Sequence, residues 1–297
     1  MGLPAADLFV DEGIVRALIV EQFPDLAGLP LHCAGEGFDN YLWRLGESLL
    51  VRLPRRRVAV HLARHEIRWL AELAPRLSLP VPVPLRVGRE SELFAHPWIV
   101  TTWYEGDSAD RATLADHDVE ARRLAAFLRA LHVPSPPEAP VNKFRCIDMA
   151  TRSEAFDLQL DQLGDEVDET AVRRVWRAAL ASEPWLEPPV WIHGDLHPGN
   201  LVVKDGLIVA VVDFGDACAG DPATDLAGAW MLLTESAVDS FLDAYESSET
   251  GLVARSLGWA ALFGLFAANI GNDGAKLSGD VGRRTLERVI SYSKRVG

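Results

Sequence analysis

Within the stretch WIHGDLHPGNLVV, two histidines, an aspartate and an asparagine fall close together: His193, Asp195, His197 and Asn200. Asp213 follows in VVDFGD, at the end of an apolar run. Three chemistries are compatible with these residue types. A metal cluster would need His193 and His197 on one face of a helix. Gly194 between them and Pro198-Gly199 just after them argue against a helix there. Asp195 and Asn200 can instead cap turns, as Asx residues beside Pro-Gly commonly do, and the loop taken alone leaves that reading open. The third chemistry is phosphoryl transfer, which needs an acid near the attacking hydroxyl and hard oxygen donors for Mg²⁺. Asp195 can be that acid, Asn200 a neutral oxygen donor and Asp213 a charged one.

The elements that must position these groups are legible from periodicity. LVVKDGLIVAVVDFGD has two apolar runs around Asp205-Gly206, a hairpin signature. Such a hairpin brings Asn200 and Asp213 together at its open end. Upstream, Glu12–Phe23 has helical spacing, and YLWRL and SLLVRL flank a Gly46-Glu47 turn. VAVHLARHEIRWLAELAPRL has helical character, and HPWIVTTWY is a strand closed by Glu105-Gly106. Beyond that turn the pattern becomes helical: ADHDVEARRLAAFLRALH, Asp148–Leu163, Glu169–Ser182 and most of the chain after Asp225. A strand-rich third followed by a helix-rich remainder predicts an α+β fold of two lobes. The boundary lies near Tyr104, giving residues 1–104 and 105–297.

His193-x-Asp195-x4-Asn200 with Asp213-Phe214-Gly215 resembles the catalytic and metal-binding signatures of the protein-kinase-like superfamily. The form HGDLHPGN, together with DPATDLAG (Asp221–Gly228), is similar to the aminoglycoside phosphotransferase family, the antibiotic kinases. The resemblance implies a bilobal kinase-like fold and transfer of a γ-phosphoryl group from ATP or GTP, with Mg²⁺, to an alcohol. It implies Asp195 as the catalytic acid–base group, Asn200 and Asp213 as metal ligands, and His193, His197 and Asp225 as supports of the loop. In the small lobe, Gly35 and Gly37 would let backbone approach phosphate. Thr102, Trp103 and Tyr104 would meet the base through backbone groups. Family members usually carry a lysine on the third strand, and here that position holds Arg52, with Glu66 as its helical partner. Arginine keeps the charge but presents a planar fork.

Bulk properties set outer bounds. The chain has 297 residues and a net charge of −14, which disfavours nucleic acid and anionic membranes as partners. Ser256–Asn272 is shorter than the about 20 apolar residues of a membrane span and reads as a core helix. Cys33, Cys146 and Cys218 are odd in number and widely spaced, which predicts neither a disulfide framework nor a thiolate zinc site. With that cysteine usage and no signal-peptide pattern at the start, a reducing cytoplasm is the simplest expectation. The acceptor, bound through roughly Val133–Trp185 and Ala229–Asp280, is the least legible part. A cationic aminoglycoside would use acids such as Glu235, Asp239, Asp243, Asp273 or Asp280. A macrolide would use an apolar set such as Trp230, Met231, Trp259, Phe263 and Phe266. A metabolite kinase or a nucleotide-binding pseudokinase on the same scaffold are the alternatives.

Overall fold

A computed structural model describes residues 4–272 and 276–296. Helix α1 (Glu12–Gln22) starts where the Asp11 carboxylate accepts the Ile14 N–H at 2.9 Å, a side-chain cap that satisfies one orphan donor of the first turn. Its apolar residues Val15, Leu18 and Ile19 face a sheet. The first strands are β1 (Leu31–Glu36), β2 (Asn40–Leu45) and β3 (Leu49–Pro54). Helix α2 (Val60–Leu73) intervenes before β4 (Arg86–Gly88) and β5 (Trp98–Thr102). These strands form one antiparallel sheet in the order β1-β2-β3-β5-β4. Where β4 meets β5, the Trp98 ring leaves no room for a side chain at Gly88: a Cβ there would lie 2.0 Å from it.

Helix α2 joins two cores. Val60 belongs to the small-lobe cluster with Leu45, Val51, Leu53 and Trp98. Trp69, Leu70 and Leu73 belong to the large one. This helix also carries Glu66, fully surrounded by protein.

The second lobe begins with β6 (Asp107–Ser108), α3 (His117–Leu131), α4 (Ser153–Leu163) and α5 (Glu169–Ala181). Then come β7 (Val190–Ile192), β8 (Leu201–Lys204), β9 (Leu207–Val211) and β10 (Cys218–Gly220). Four helices close the chain: α6 (Ala223–Leu232), α7 (Glu235–Tyr245), α8 (Leu252–Asn272) and α9 (Lys276–Val296). Helix α8 has the length and composition of a membrane span, but most of its apolar window is buried against α4, α5, α6 and α9. It is the core helix that its sequence predicts. Trp230 and Trp259 are core residues too, and the Trp230 indole donates to Ser256 Oγ at 2.9 Å.

The small sheets position the functional loop. β8 pairs with β6 and β9, and β7 pairs with β10. Asp205 and Gly206 both take positive φ in the β8–β9 turn, as its predicted type requires. Helix α3 clamps this hairpin from below. The buried Glu120 accepts the Ile208 N–H at 2.9 Å, and Arg123, paired with Glu120, donates to the Ile208 carbonyl at 2.9 Å.

One cysteine expectation is corrected. Cys146 and Cys218 form a disulfide across 72 positions of sequence, while Cys33 is free and exposed. Sequence spacing hides the pair because the fold makes the proximity. Ala219 donates to the Pro140 carbonyl at 2.9 Å, which lays the 140–146 segment along β10. The cysteine pattern therefore lends no support to a reducing compartment.

Replacing Glu120 by alanine should cost about 1–3 kcal/mol, since it strips the buried Ile208 N–H of its acceptor and Arg123 of its ion-pair partner. Urea unfolding of the variant measures this. A loss below about 0.5 kcal/mol, the size of an ordinary surface change, would contradict the clamp.

Candidate active site

The loop after β7 is held from beneath by one carboxylate. Asp225, fully buried on α6, accepts the His193 N–H at 2.6 Å and the Gly194 N–H at 2.9 Å. It also pairs with His132 Nε2 at 3.1 Å, and His132 Nδ1 meets the Tyr245 hydroxyl at 2.7 Å. Gly194 has φ +80°, and a Cβ there would stand 2.6 Å from the Asp216 carbonyl. Only glycine fits that left-handed, crowded turn.

His193 is turned inward and buried. Its Nδ1 accepts the Asp195 N–H at 3.3 Å, which leaves Nε2 to donate to the Val212 carbonyl at 3.0 Å. Both ring nitrogens are thus engaged with backbone and neither can reach a metal. Among the described residues there is no group of three or more His, Cys, Asp or Glu side chains arranged to hold an ion. His193 is therefore not presented as a metal ligand.

Asp195 is directed out of this framework and is partly exposed. Arg145 Nη2 donates to its Oδ1 at 2.9 Å, and His197 Nε2 lies 3.5 Å from Oδ2. Burial opposes the charge on Asp195, but His197 and Arg145 outweigh it and hold the carboxyl well below its usual range. His197 responds in the opposite sense. Burial disfavours its proton, and Asp195 restores it and raises the imidazole above its ordinary value. His197 also caps the turn that follows, accepting the Gly199 N–H at 3.0 Å.

The hairpin does what its sequence predicts. Val212 donates to the Asn200 carbonyl at 2.9 Å, which sets Asn200 beside Asp213. Asn200 uses its amide nitrogen on the Asp195 carbonyl at 2.9 Å, so its amide oxygen remains for a ligand. Asp213 has φ +65° and a half-exposed carboxylate.

The small lobe reaches this point through two residues. Arg52 on β3 forks onto Glu66 with contacts of 2.9 and 2.8 Å, and its Nη2 donates to Asp213 Oδ1 at 3.2 Å. Glu66 in turn accepts the Phe214 N–H at 2.8 Å. Burial pushes the Glu66 carboxyl up while Arg52 pulls it down. Arg52 keeps its proton throughout, so Glu66 always has a cation beside it.

Gly35 has φ +135° with open space where a Cβ would stand, and the Gly37 N–H closes the loop onto the Asn40 carbonyl at 2.8 Å. At the end of β5 the Trp103 N–H is already given to the Ser48 carbonyl at 2.7 Å. Recognition of a base at Trp103 would therefore use its carbonyl. Thr102 is the last residue of β5, and the Tyr104 hydroxyl donates to the Val81 carbonyl at 2.8 Å.

Sequence reasoning missed three members of the site. Arg145 comes from a loop with no periodicity. His132 sits past the end of α3 with no motif around it. Asp216 takes a 2.6 Å hydrogen bond from Asn142, and burial, then the charge of Asp195, pushes its carboxyl up to about 6. The second aspartate of VVDFGD was its one available signal. Of the acids considered for a cationic acceptor, Asp239 is paired with Arg295 at 2.7 Å, Asp243 and Asp280 are exposed, and Asp273 lies outside the described residues. Trp230 and Trp259 are core, while Phe263 lies under the Arg145 guanidinium, 4.6 Å from ring centroid to charge.

Residues 33–262 match the model of the phosphotransferase enzyme family. An aminoglycoside 3'-phosphotransferase of Escherichia coli is 29% identical over 57% of this chain, and the match spans 62% of that relative. A homoserine kinase of Gluconobacter oxydans is 29% identical over 73% of this chain and 72% of its own length. Among solved structures, the GDP complex of aminoglycoside 2'-phosphotransferase-IIIa superposes with a TM-score of 0.69 at 18% identity, covering 96% of this chain and 100% of that one. The apoenzyme of a macrolide 2'-phosphotransferase from Brachybacterium faecium gives 0.59 at 24% identity, covering 92% and 97%. These likenesses establish a common fold.

The Asp195–His197 pair has a titration signature. In metal-free protein the His197 imidazole should lose its proton above the ordinary value of about 6.5, and Asp195→Asn should bring it down again. The pair's contribution to stability is full below the unfolded value and is lost as pH rises through the raised one. NMR titration of the histidine resonances reads the shift. No change in Asp195→Asn would break the assignment.

Proposed function

Because the chain belongs to the phosphotransferase enzyme family, we propose that it transfers the γ-phosphoryl group of ATP or GTP to a hydroxyl of a small molecule. The observation that carries this reading is the alignment of three groups on one loop and hairpin. Asp195 is free of the core and faces outward, Asn200 keeps an amide oxygen, and Asp213 is steadied by Arg52. We assign nucleotide binding to residues 1–104 and catalysis with acceptor binding to residues 105–297.

In this reading Asn200 and Asp213 hold Mg²⁺, whose oxygen preference and small coordination shell suit two protein ligands completed by phosphate and water. The metal supplies positive charge against the charge that develops on the phosphoryl oxygens. Arg52 steadies the phosphates while fixed by Glu66, and Gly35 and Gly37 allow backbone to approach them. Thr102, Trp103 and Tyr104 border the base. Asp195 orients the acceptor hydroxyl and takes its proton, while His193, His197 and Asp225 keep the carboxylate in place. A cytoplasmic setting follows from the need for nucleotide rather than from the cysteines.

Two acceptor classes have support among the relatives. Aminoglycoside and macrolide antibiotics are named for the Escherichia coli relative and for the structural neighbours, and homoserine for the Gluconobacter relative. Arg145 on Asp195 favours the metabolite class over a polycation, because it puts positive charge where the acceptor hydroxyl must arrive. The pseudokinase alternative lacks its mark, since Asp195, Asn200 and Asp213 are all present.

The deciding experiment follows ATP and GTP consumption and phosphorylated product by mass spectrometry, with Mg²⁺, across aminoglycosides, macrolides, amino alcohols and L-homoserine. At least one acceptor should drive turnover that stops when Mg²⁺ is chelated. No acceptor-dependent product with any of them would defeat the proposal. Asp195→Asn should slow turnover by about 10²–10⁴-fold, the usual worth of a general base, with nucleotide affinity little changed. Arg52→Ala should raise the KM for nucleotide and leave that for acceptor nearly unchanged. Arg52→Lys should be partly active, since charge survives without the fork. Normal turnover by Arg52→Ala would remove the residue from the phosphate site.

A further inference from the structure

The segment between α3 and α4 carries Lys143, Arg145 and Arg152 toward the catalytic loop of a chain whose net charge is −14. Its backbone is fixed on two sides. The Cys146–Cys218 disulfide ties it to β10, and the Arg145 carbonyl accepts the Thr224 hydroxyl at 3.1 Å. Arg145 has one acidic partner, Asp195, and rests its guanidinium on Phe263 of α8. Arg152 has no acidic partner among the described residues. Its guanidinium lies over the Phe144 ring at 5.3 Å, and its Nε is buried without a hydrogen-bond acceptor. Burial, followed by the neighbouring charge of Arg145, works against its proton. Arg145 thus has one carboxylate, the one the reaction needs, and Arg152 beside it has none.

A buried donor left unsatisfied is costly, and a guanidinium most of all. The group that would satisfy it is a planar or tetrahedral anion, which arginine binds through parallel hydrogen bonds. Both arginines belong to the large lobe and lean on its aromatic residues, whereas the glycine loop and Arg52 lie on the small lobe's sheet. The unmet positive charge therefore sits on the acceptor side. We propose that the acceptor carries an anionic group, a carboxylate or a phosphate, and that Arg152 with Arg145 binds this group beside Asp195. The inference rests on the kinase reading for the meaning of that side of the cleft. It goes further by fixing the charge of the substrate. On binding, the anion takes over from Asp195 as partner of Arg145, and Asp195 Oδ1 is released to receive the hydroxyl.

The test separates the anion site from turnover. Full-length protein saturated with Mg²⁺ and a non-hydrolysable ATP analogue is titrated calorimetrically with malonate and, separately, with inorganic phosphate. At least one should bind at a single site, and Arg152→Met should weaken it by about tenfold to a hundredfold, the worth of one charged hydrogen bond. Arg152→Lys should retain part of the affinity, and unchanged affinity for the ATP analogue shows that the variants are folded. Binding of malonate alone indicates a carboxylate acceptor, and binding of phosphate alone a phosphate ester. Binding of neither, or equal binding by Arg152→Met, overturns the inference. Phosphorylation of kanamycin that is indifferent to Arg152→Met would overturn it while sparing the kinase reading. Anion binding with no acceptor-dependent turnover would strike the kinase reading and with it the acceptor assignment, leaving an anion site at Arg152.

Discussion

The carboxylate of Asp225 is the constraint on which the geometry of the His193–Asn200 loop depends. It is fully enclosed and accepts the consecutive N–H groups of His193 and Gly194, with His132 on its remaining side. Enclosing a charged group costs several kcal/mol unless its oxygens are fully hydrogen-bonded, and here the donors are mostly backbone. Backbone donors cannot swing away, so the turn they belong to becomes rigid. Gly194 takes the left-handed conformation that lets both N–H groups converge, and the chain leaves the turn with Asp195 pointing outward. His193 fastens the far side of the turn to Val212, the residue before Asp213. One buried acid thus fixes Asp195 and, one link further on, Asp213.

A second constraint acts between the lobes. Arg52, Glu66, Phe214 and Asp213 form a closed circuit of hydrogen bonds that runs from β3 through α2 to the residues after β9. A lysine could reach Glu66 or Asp213, but its point charge would not span both in fixed directions. The planar fork of Arg52 does, and Glu66 uses the same oxygen toward Arg52 and the Phe214 N–H. Since α2 inserts Trp69, Leu70 and Leu73 into the large core, the circuit is braced by packing on its helical side.

The alternation of strands and helices and the hairpin turn at Asp205-Gly206 were legible because each depends on local rules. Turn chemistry and periodicity need only neighbouring residues. Arg145 and His132 were not legible because their contacts are 50 and 93 residues away in sequence. The Cys146–Cys218 bond escaped for the same reason. The acids on α7 carry no distinguishing signal, since a charged helix face looks the same in sequence whether it meets a ligand or, like Asp239, a neighbouring arginine.

The Cys146–Cys218 bond also changes the topology of the chain. It closes a covalent ring that contains α4, α5 and β7, the whole of the His193–Asn200 loop, the β8–β9 hairpin and Asp213. Arg145 lies one residue outside the ring's junction. Asp195, Asn200 and Asp213 therefore stay within one loop even when the helices around them come apart, and the unfolded chain explores fewer ways of separating them. A ring of this size narrows the search that refolding must make. These three residues are already confined together before any helix of the last third has docked.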